Sequence, residues 1–257
     1  MTVFAGTSGW QYADWRELVY RRGIGQRRWL EVYAQAFGAV ELNAAFYRPV
    51  ARTTFEGWHG RTPADFVMAV KASRVVTHYR RLREVEIPLE RMIDAARGLG
   101  DRLGPILIQL PPTLTVEPER LDQVLGLIPA ELRVAVEPRH ESWWDDRVRA
   151  VLEAHRAALC WADRLGRPIT PLWRTADWAY VRFHEGPGRS APRYPKRVLA
   201  EWVRRIEDTW DGNHDAYVFF NNDVGGAAVR DAIRIGELFR AAGRPVARTP
   251  DRLPLTP

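Results

Sequence analysis

One cysteine in 257 residues, Cys160, excludes an internal disulfide. Its place in the apolar run ALCWA marks it as a buried, inert thiol rather than a nucleophile. Lysine is nearly as scarce: Lys71 and Lys196 are the only two, so 36 of the 38 basic residues are arginine. No apolar run approaches the ~18 residues that a membrane span needs. The opening MTVFAGTSGW has neither the basic start nor the long apolar stretch of a secretory leader. The expectation is a cytoplasmic protein with no membrane partner. Also missing are G-x-G-x-x-G, H-x-H and H-E-x-x-H, which argues against a dinucleotide-binding sheet and against the common zinc-enzyme helices.

What is present is an ordinary globular composition, 46% hydrophobic and 27% charged. The net charge of +6 invites a nucleic-acid reading. The basic residues are nonetheless interleaved with acidic ones, as in RRLREVEIPLERM, and form no tail or stripe. Nucleic acid is therefore not the favoured partner, and a preference for small anions is the expectation.

Short apolar runs recur along the chain and stop on polar residues. Eight are predicted as strands: 3–5, 39–42, 66–70, 106–110, 134–136, 158–162, 179–183 and 216–220. Helical spacing follows most of them, over 26–37, 89–103, 118–127, 144–155, 196–210 and 227–242. The crossover at 164–177 holds Gly166, Pro168 and Pro171 and is not expected to form a regular helix. Strands apolar on both faces, alternating with crossovers, predict an α/β fold: a single (β/α)8 TIM-type barrel over residues 1–243, with a loosely held tail at 244–257.

Such a barrel carries its chemistry at the carboxyl ends of its strands. The polar residues there are Glu41, Asn43, Lys71, His78, Gln109, Glu137, Arg139, His140, Asp163, Arg182, His184, Asn221, Asn222 and Asp223. Buried charges gathered in one mouth shift each other's pKa values. Glu41, Lys71, Glu137, Asp163 and His184 are the catalytic candidates. Substrate contacts are assigned to Asn43, Tyr47, His78, Gln109, Arg139, Arg182, Asn221 and Asn222. Gly225 and Gly226 precede the last helix, where free amides and the helix dipole could hold an anion beside the EGPGRS loop. Trp143 and Trp144 read either as a sugar or base platform or as packing under a loop. Lys71 reads as an ion-pair partner, an anion clamp or a Schiff-base former.

Three functions compete. In the first, carboxylates act as general acid and base while Lys71, Arg139 and Arg182 clamp a small anionic or polyhydroxylated substrate. In the second, Glu41, Glu137, His140 and Asp163 hold a divalent metal for phosphodiester hydrolysis or sugar isomerisation. In the third, the barrel binds an anion or nucleic acid without catalysis. The sequence does not decide among hydrolase, lyase and isomerase, and the oligomeric state is left open.

The motifs GTSGW, ELNAAFYRP, VKA with TH, LIQLPP, VEPRHESWW, YVRFH and FFNND, in this order over about residues 3–240, resemble the YecE-like family of TIM-barrel domains of unknown function. The resemblance implies a barrel and supplies no reaction. One departure stands out: where the family pattern has glycine directly after the histidine of YVRFH, this chain has Glu185 and then Gly186.

Overall fold

The computed structural model describes residues 1–188 and 192–255. The fold is mixed α/β, with ten strands in one curled sheet, a half-barrel in form. In chain order the strands are β1 (Val3–Thr7), β2 (Ala39–Leu42), β3 (Val67–Lys71), β4 (Leu103–Gln109) and β5 (Val134–Glu137), then β6 (Ala158–Leu159), β7 (Trp161–Arg164), β8 (Arg167–Pro168), β9 (Ala179–Glu185) and β10 (Ala216–Phe220). Their spatial order is β6-β5-β4-β3-β2-β1-β10-β9-β7-β8. Neighbours are parallel except β7 and β8, which form an antiparallel hairpin. Helices α1 (Trp29–Ala36), α2 (Ala44–Tyr47), α3 (Arg52–His59), α4 (Glu86–Ala96), α5 (Pro118–Gly126), α6 (Asp146–Ala154), α7 (Lys196–Trp210) and α8 (Ala227–Ala241) fill the crossovers. Among the described residues, no helix is long and apolar enough to cross a membrane.

The strand count departs from the expected eight because the predicted strand 158–162 is split. Its first half pairs with β5 and its second with β9. The backbone N–H of Leu159 donates to Thr175 Oγ1 (2.7 Å) and that of Ala162 to Thr170 Oγ1 (2.9 Å). Two threonines from the 164–177 crossover thus take donors that a continuous ladder would give to neighbouring strands. Cys160 joins the halves, its N–H donating to Val136 O at 2.8 Å. The same crossover has no regular helix, as its glycine and prolines predict, and adds β8 instead.

Side chains alternate between the two faces of each strand. The convex face packs on the helices: Trp161, Phe183 and Val198, Leu199, Trp202 of α7 share one core, and Ile106, Ile108, Val134 and Val136 share another with α4, α5 and α6. The concave face holds Ala39, Ala69, Leu107, Ala135, Ala158 and Cys160 opposite Tyr180, Tyr217 and Phe219. Alanines on one side of the curl thus make room for aromatic rings from the other. Gly6 is required at its position, since a Cβ there would sit 2.2 Å from Ala39 O. The tail expected to be loosely held is strapped down. Val3 N–H donates to Pro245 O, Ala247 N–H to Val3 O and Gly38 N–H to Arg248 O, at 2.7–2.9 Å, and Leu255 is buried.

Candidate active site

The concave parity of the strands decides which polar residues meet. One layer above the aromatic floor it brings Ser8, Glu41, Lys71, Gln109, Glu137 and Arg182 to the carboxyl ends, with Arg139, His184 and Asn221 beyond them. Glu41, Glu137 and Arg182 are fully buried or nearly so. Arg182 Nη2 donates to Glu41 Oε1 (2.7 Å) and Nη1 to Glu137 Oε2 (2.6 Å), so one guanidinium joins two carboxylates. Glu41 also accepts from Ser8 Oγ and Tyr180 Oη, each at 2.7 Å. Glu137 Oε1 accepts from His184 Nε2 (2.8 Å) and lies 2.7 Å from Arg139 Nε. That last approach is an ion pair without hydrogen-bond alignment, for the Arg139 N–H has no acceptor. Arg139 Nη2 sits 2.9 Å from His184 Nε2.

The electrostatics follow from this pairing. Burial alone would raise both carboxyl pKa values. The charge of Arg182 and the surrounding donors overcome it, holding Glu41 below and Glu137 well below the ordinary carboxylate value. Burial lowers His184 and outweighs the opposing pull of Glu137, with the charges of Arg182 and Arg139 adding to it, which leaves the imidazole neutral near pH 7. Its Nε2–H is then the donor to Glu137.

Lys71 behaves differently. It ends β3, is 8% exposed, and places Nζ 4.0 Å from the centroid of the Phe46 ring. Among the described residues its ammonium makes no ion pair with any carboxylate, although Glu41 and Glu137 share the mouth. Their oxygens are committed to Arg182, Ser8, Tyr180 and His184. Burial first, then the positive charge of Arg182, brings the Lys71 pKa down to about 8 against the pull of Glu41 and Glu137. His78 meets the same Phe46 ring edge-on at 5.0 Å and hydrogen-bonds Thr77 Oγ1 at 2.8 Å. Burial and the charge of Lys71 lower its pKa. Ala45 and Ser73, close in sequence to Phe46 and Lys71, line an apolar cleft of about 600 Å³ with Val50, Phe55, Val75 and Met92.

Other predicted site residues lie elsewhere. Asp163 has the opposite parity and points to α7, accepting from Trp202 Nε1 (2.8 Å) and Gly166 N–H (2.9 Å). It caps the β7–β8 turn, where Leu165 and Gly166 have positive φ. Asn222 is also off parity and donates to Asp231 Oδ2 at 2.9 Å and to Pro192 O at 2.5 Å, holding the loop after β9 against α8. His140 caps the turn at 141–143 through Ser142. Asn43 Nδ2 reaches Ser8 O at 3.4 Å, at the edge of the layer. Tyr47 is 62% exposed and touches Phe46 edge-on. Gly225 already gives its N–H to Asp14 Oδ2 (2.7 Å), and residues 189 and 190 of the adjoining EGPGRS loop lie outside the described residues. Trp143 packs under a loop, donating to Leu114 O at 2.7 Å. The four metal candidates are therefore dispersed or bound to arginine, and among the described residues no group of three or more His, Cys, Asp or Glu is placed to hold a metal.

Sequence reasoning missed Ser8, Tyr180 and Phe46. The signal for Tyr180 was available: in AYVRFH the residues sharing the parity of Arg182 are Tyr180 and His184.

Comparison with known proteins agrees with this architecture. The UPF0759 protein YunF of Bacillus subtilis (strain 168) is 26% identical over 275 aligned positions, spanning 92% of this chain and 94% of that protein. A DUF72 family crystal structure from Thermotoga maritima MSB8 superposes with a TM-score of 0.82 at 26% identity, covering 93% of this chain and all of the other. One from Enterococcus faecalis V583 shares the fold with a TM-score of 0.79 at 16% identity, covering 93% and 96% of the two chains. The family model described as "Protein of unknown function DUF72" matches residues 4–254. The chain belongs to the DUF72 family, for which YecE-like is another name.

Proposed function

We propose that the concave mouth is an enzyme active site for a small anionic substrate, with Lys71 as its acid–base group and Arg139 as its anion clamp. The carrying observation is the charge balance of the buried layer. Two carboxylates, Glu41 and Glu137, face three cations, Arg139, Arg182 and Lys71. One positive charge remains over, and it resides on the side chain without a carboxylate partner. Desolvated cations of this kind favour an anion that can accept from both. Gln109 and Asn221, half-buried on the same face, supply amides for the hydroxyls of a polyhydroxylated body.

In this reading the acid–base role moves from the carboxylates to Lys71. Glu41 and Glu137 are locked in their ionised forms by Arg182 and serve as the frame that orients the cations. The metal-assisted alternative is disfavoured because the candidate carboxylates are already occupied by guanidinium. The nucleic-acid alternative has no basic stripe behind it. We further read β6 and β7 as one staggered strand through Cys160, so that the curl closes as a (β/α)8 barrel forming one domain.

The test is calorimetric titration with inorganic phosphate and with a panel of phosphorylated and carboxylated metabolites. Saturable binding should weaken at least tenfold in Lys71→Met and in Arg139→Met. Equal affinity in all three proteins, or no binding by any anion of the panel, sinks the reading.

A further inference from the structure

We infer that Lys71 is a nucleophile toward carbonyl carbon and forms an imine with an aldehyde or ketone that also carries an anionic group. This deepens the proposed function and rests on it for the anionic part of the substrate. Three features of the site support it. The amine sits at the carboxyl end of a strand, facing the concave mouth, 4.0 Å from the Phe46 ring centroid. It is not held by any carboxylate among the described residues, because Arg182 and its co-donors have taken Glu41 and Glu137. Burial and the neighbouring arginines depress its basicity to about 8, so a useful fraction is the neutral amine near neutral pH.

In the step itself, the neutral amine's lone pair attacks the carbonyl carbon. The carbonyl π pair moves to oxygen, which takes up the proton that nitrogen gives up, and a carbinolamine results. The nitrogen lone pair then expels that hydroxyl, which leaves as water with the second proton given up by nitrogen, and the C=N bond remains. No oxidant, reductant or second substrate is consumed. His78, edge-on to the ring that faces Lys71, is the group assigned to carry the proton between nitrogen and oxygen. The substrate's anion would lie toward Arg139, the other cation at the mouth.

The chain's two lysines make the test unusually clean. The full-length protein is incubated with cyanoborohydride and glyoxylate, pyruvate or dihydroxyacetone phosphate, with neutral acetone as control, and then mapped by mass spectrometry at Lys71, Lys196 and the amino terminus. Reductive labelling of Lys71 at least tenfold faster than Lys196, saturable in the anionic carbonyls and absent from a folded Lys71→Arg protein, is the expected result. Labelling of Lys71 no faster than Lys196 overturns the inference. If phosphate still binds in that case, the anion reading survives without the imine. If instead acetone labels Lys71 as fast as the anionic probes and phosphate gives no protection, the amine is nucleophilic but the anionic assignment fails.

Discussion

A single guanidinium, that of Arg182, spans Glu41 at 2.7 Å and Glu137 at 2.6 Å in a layer closed to solvent. The two carboxylates come from strands well apart in the order of the sheet, and Arg182 from a third. The bridge therefore ties the curl together at the level where the chemistry is proposed, and it frees Lys71 by occupying the anions that would otherwise neutralise it.

Breaking this bridge should be costly. Arg182→Met leaves two buried carboxylates without their shared partner, and Glu137→Gln leaves Arg182 and Arg139 short of an acceptor. Each is expected to lose about 3–5 kcal/mol of stability, read as the shift of a urea unfolding midpoint. A loss below about 1 kcal/mol for both would remove the bracing role.

Acid should act through the same pair. The folded pKa values of Glu41 and Glu137 lie below the ordinary 4.5. On acidification the unfolded chain therefore takes up protons first. Their contribution is complete above about pH 4.5 and is lost as pH falls through the folded values. Asp163 and Asp231, whose pKa values burial raises, have the opposite slope and soften the limb. Stability measured from pH 6 to pH 3 should fall less steeply in Glu137→Gln than in the parent.

Lys71→Met should stabilise the fold. The depressed pKa means that the buried ammonium opposes folding, by about 1–3 kcal/mol below pH 8. Because the unfolded chain holds this proton up to its ordinary value near 10.5 while the folded chain releases it near 8, the parent gains stability as pH rises between the two. The variant's advantage should shrink across that window. A destabilised variant would show that Lys71 is a bracing residue.

Asp163→Asn separates structure from chemistry. An amide cannot accept from both Trp202 Nε1–H and Gly166 N–H as the carboxylate does, and a loss of about 1–2 kcal/mol is expected. Phosphate affinity should stay within twofold of the parent. A tenfold loss of affinity would return Asp163 to the site.

Much of this was legible in the sequence, and the reasons for the rest are specific. Strand ends such as Glu137 after VAV and Arg182 within AYVRF identified the layer because parallel strands are apolar up to the point where they leave the core. Asp163 and Asn222 were misplaced because a strand-end position says nothing about facing until the parity is fixed, and in both cases it is opposite to that of Arg182. The split of the sixth strand depends on Thr170 and Thr175 reaching the backbone of Leu159 and Ala162 from a crossover whose path no local pattern encodes. The availability of Lys71 was also hidden. It follows from Arg182 claiming both carboxylates, a contact made across strands distant in sequence.

The most direct measurement is the titration of Lys71 itself. With two lysines in the chain, protein labelled with ¹³C at lysine Cε gives two signals, and Lys71→Arg assigns them. The proposed role of Lys71 predicts a midpoint of about 8 for its amine, rising when phosphate is added because a bound anion favours the charged form. A midpoint at the ordinary lysine value, or one that phosphate does not move, would contradict it.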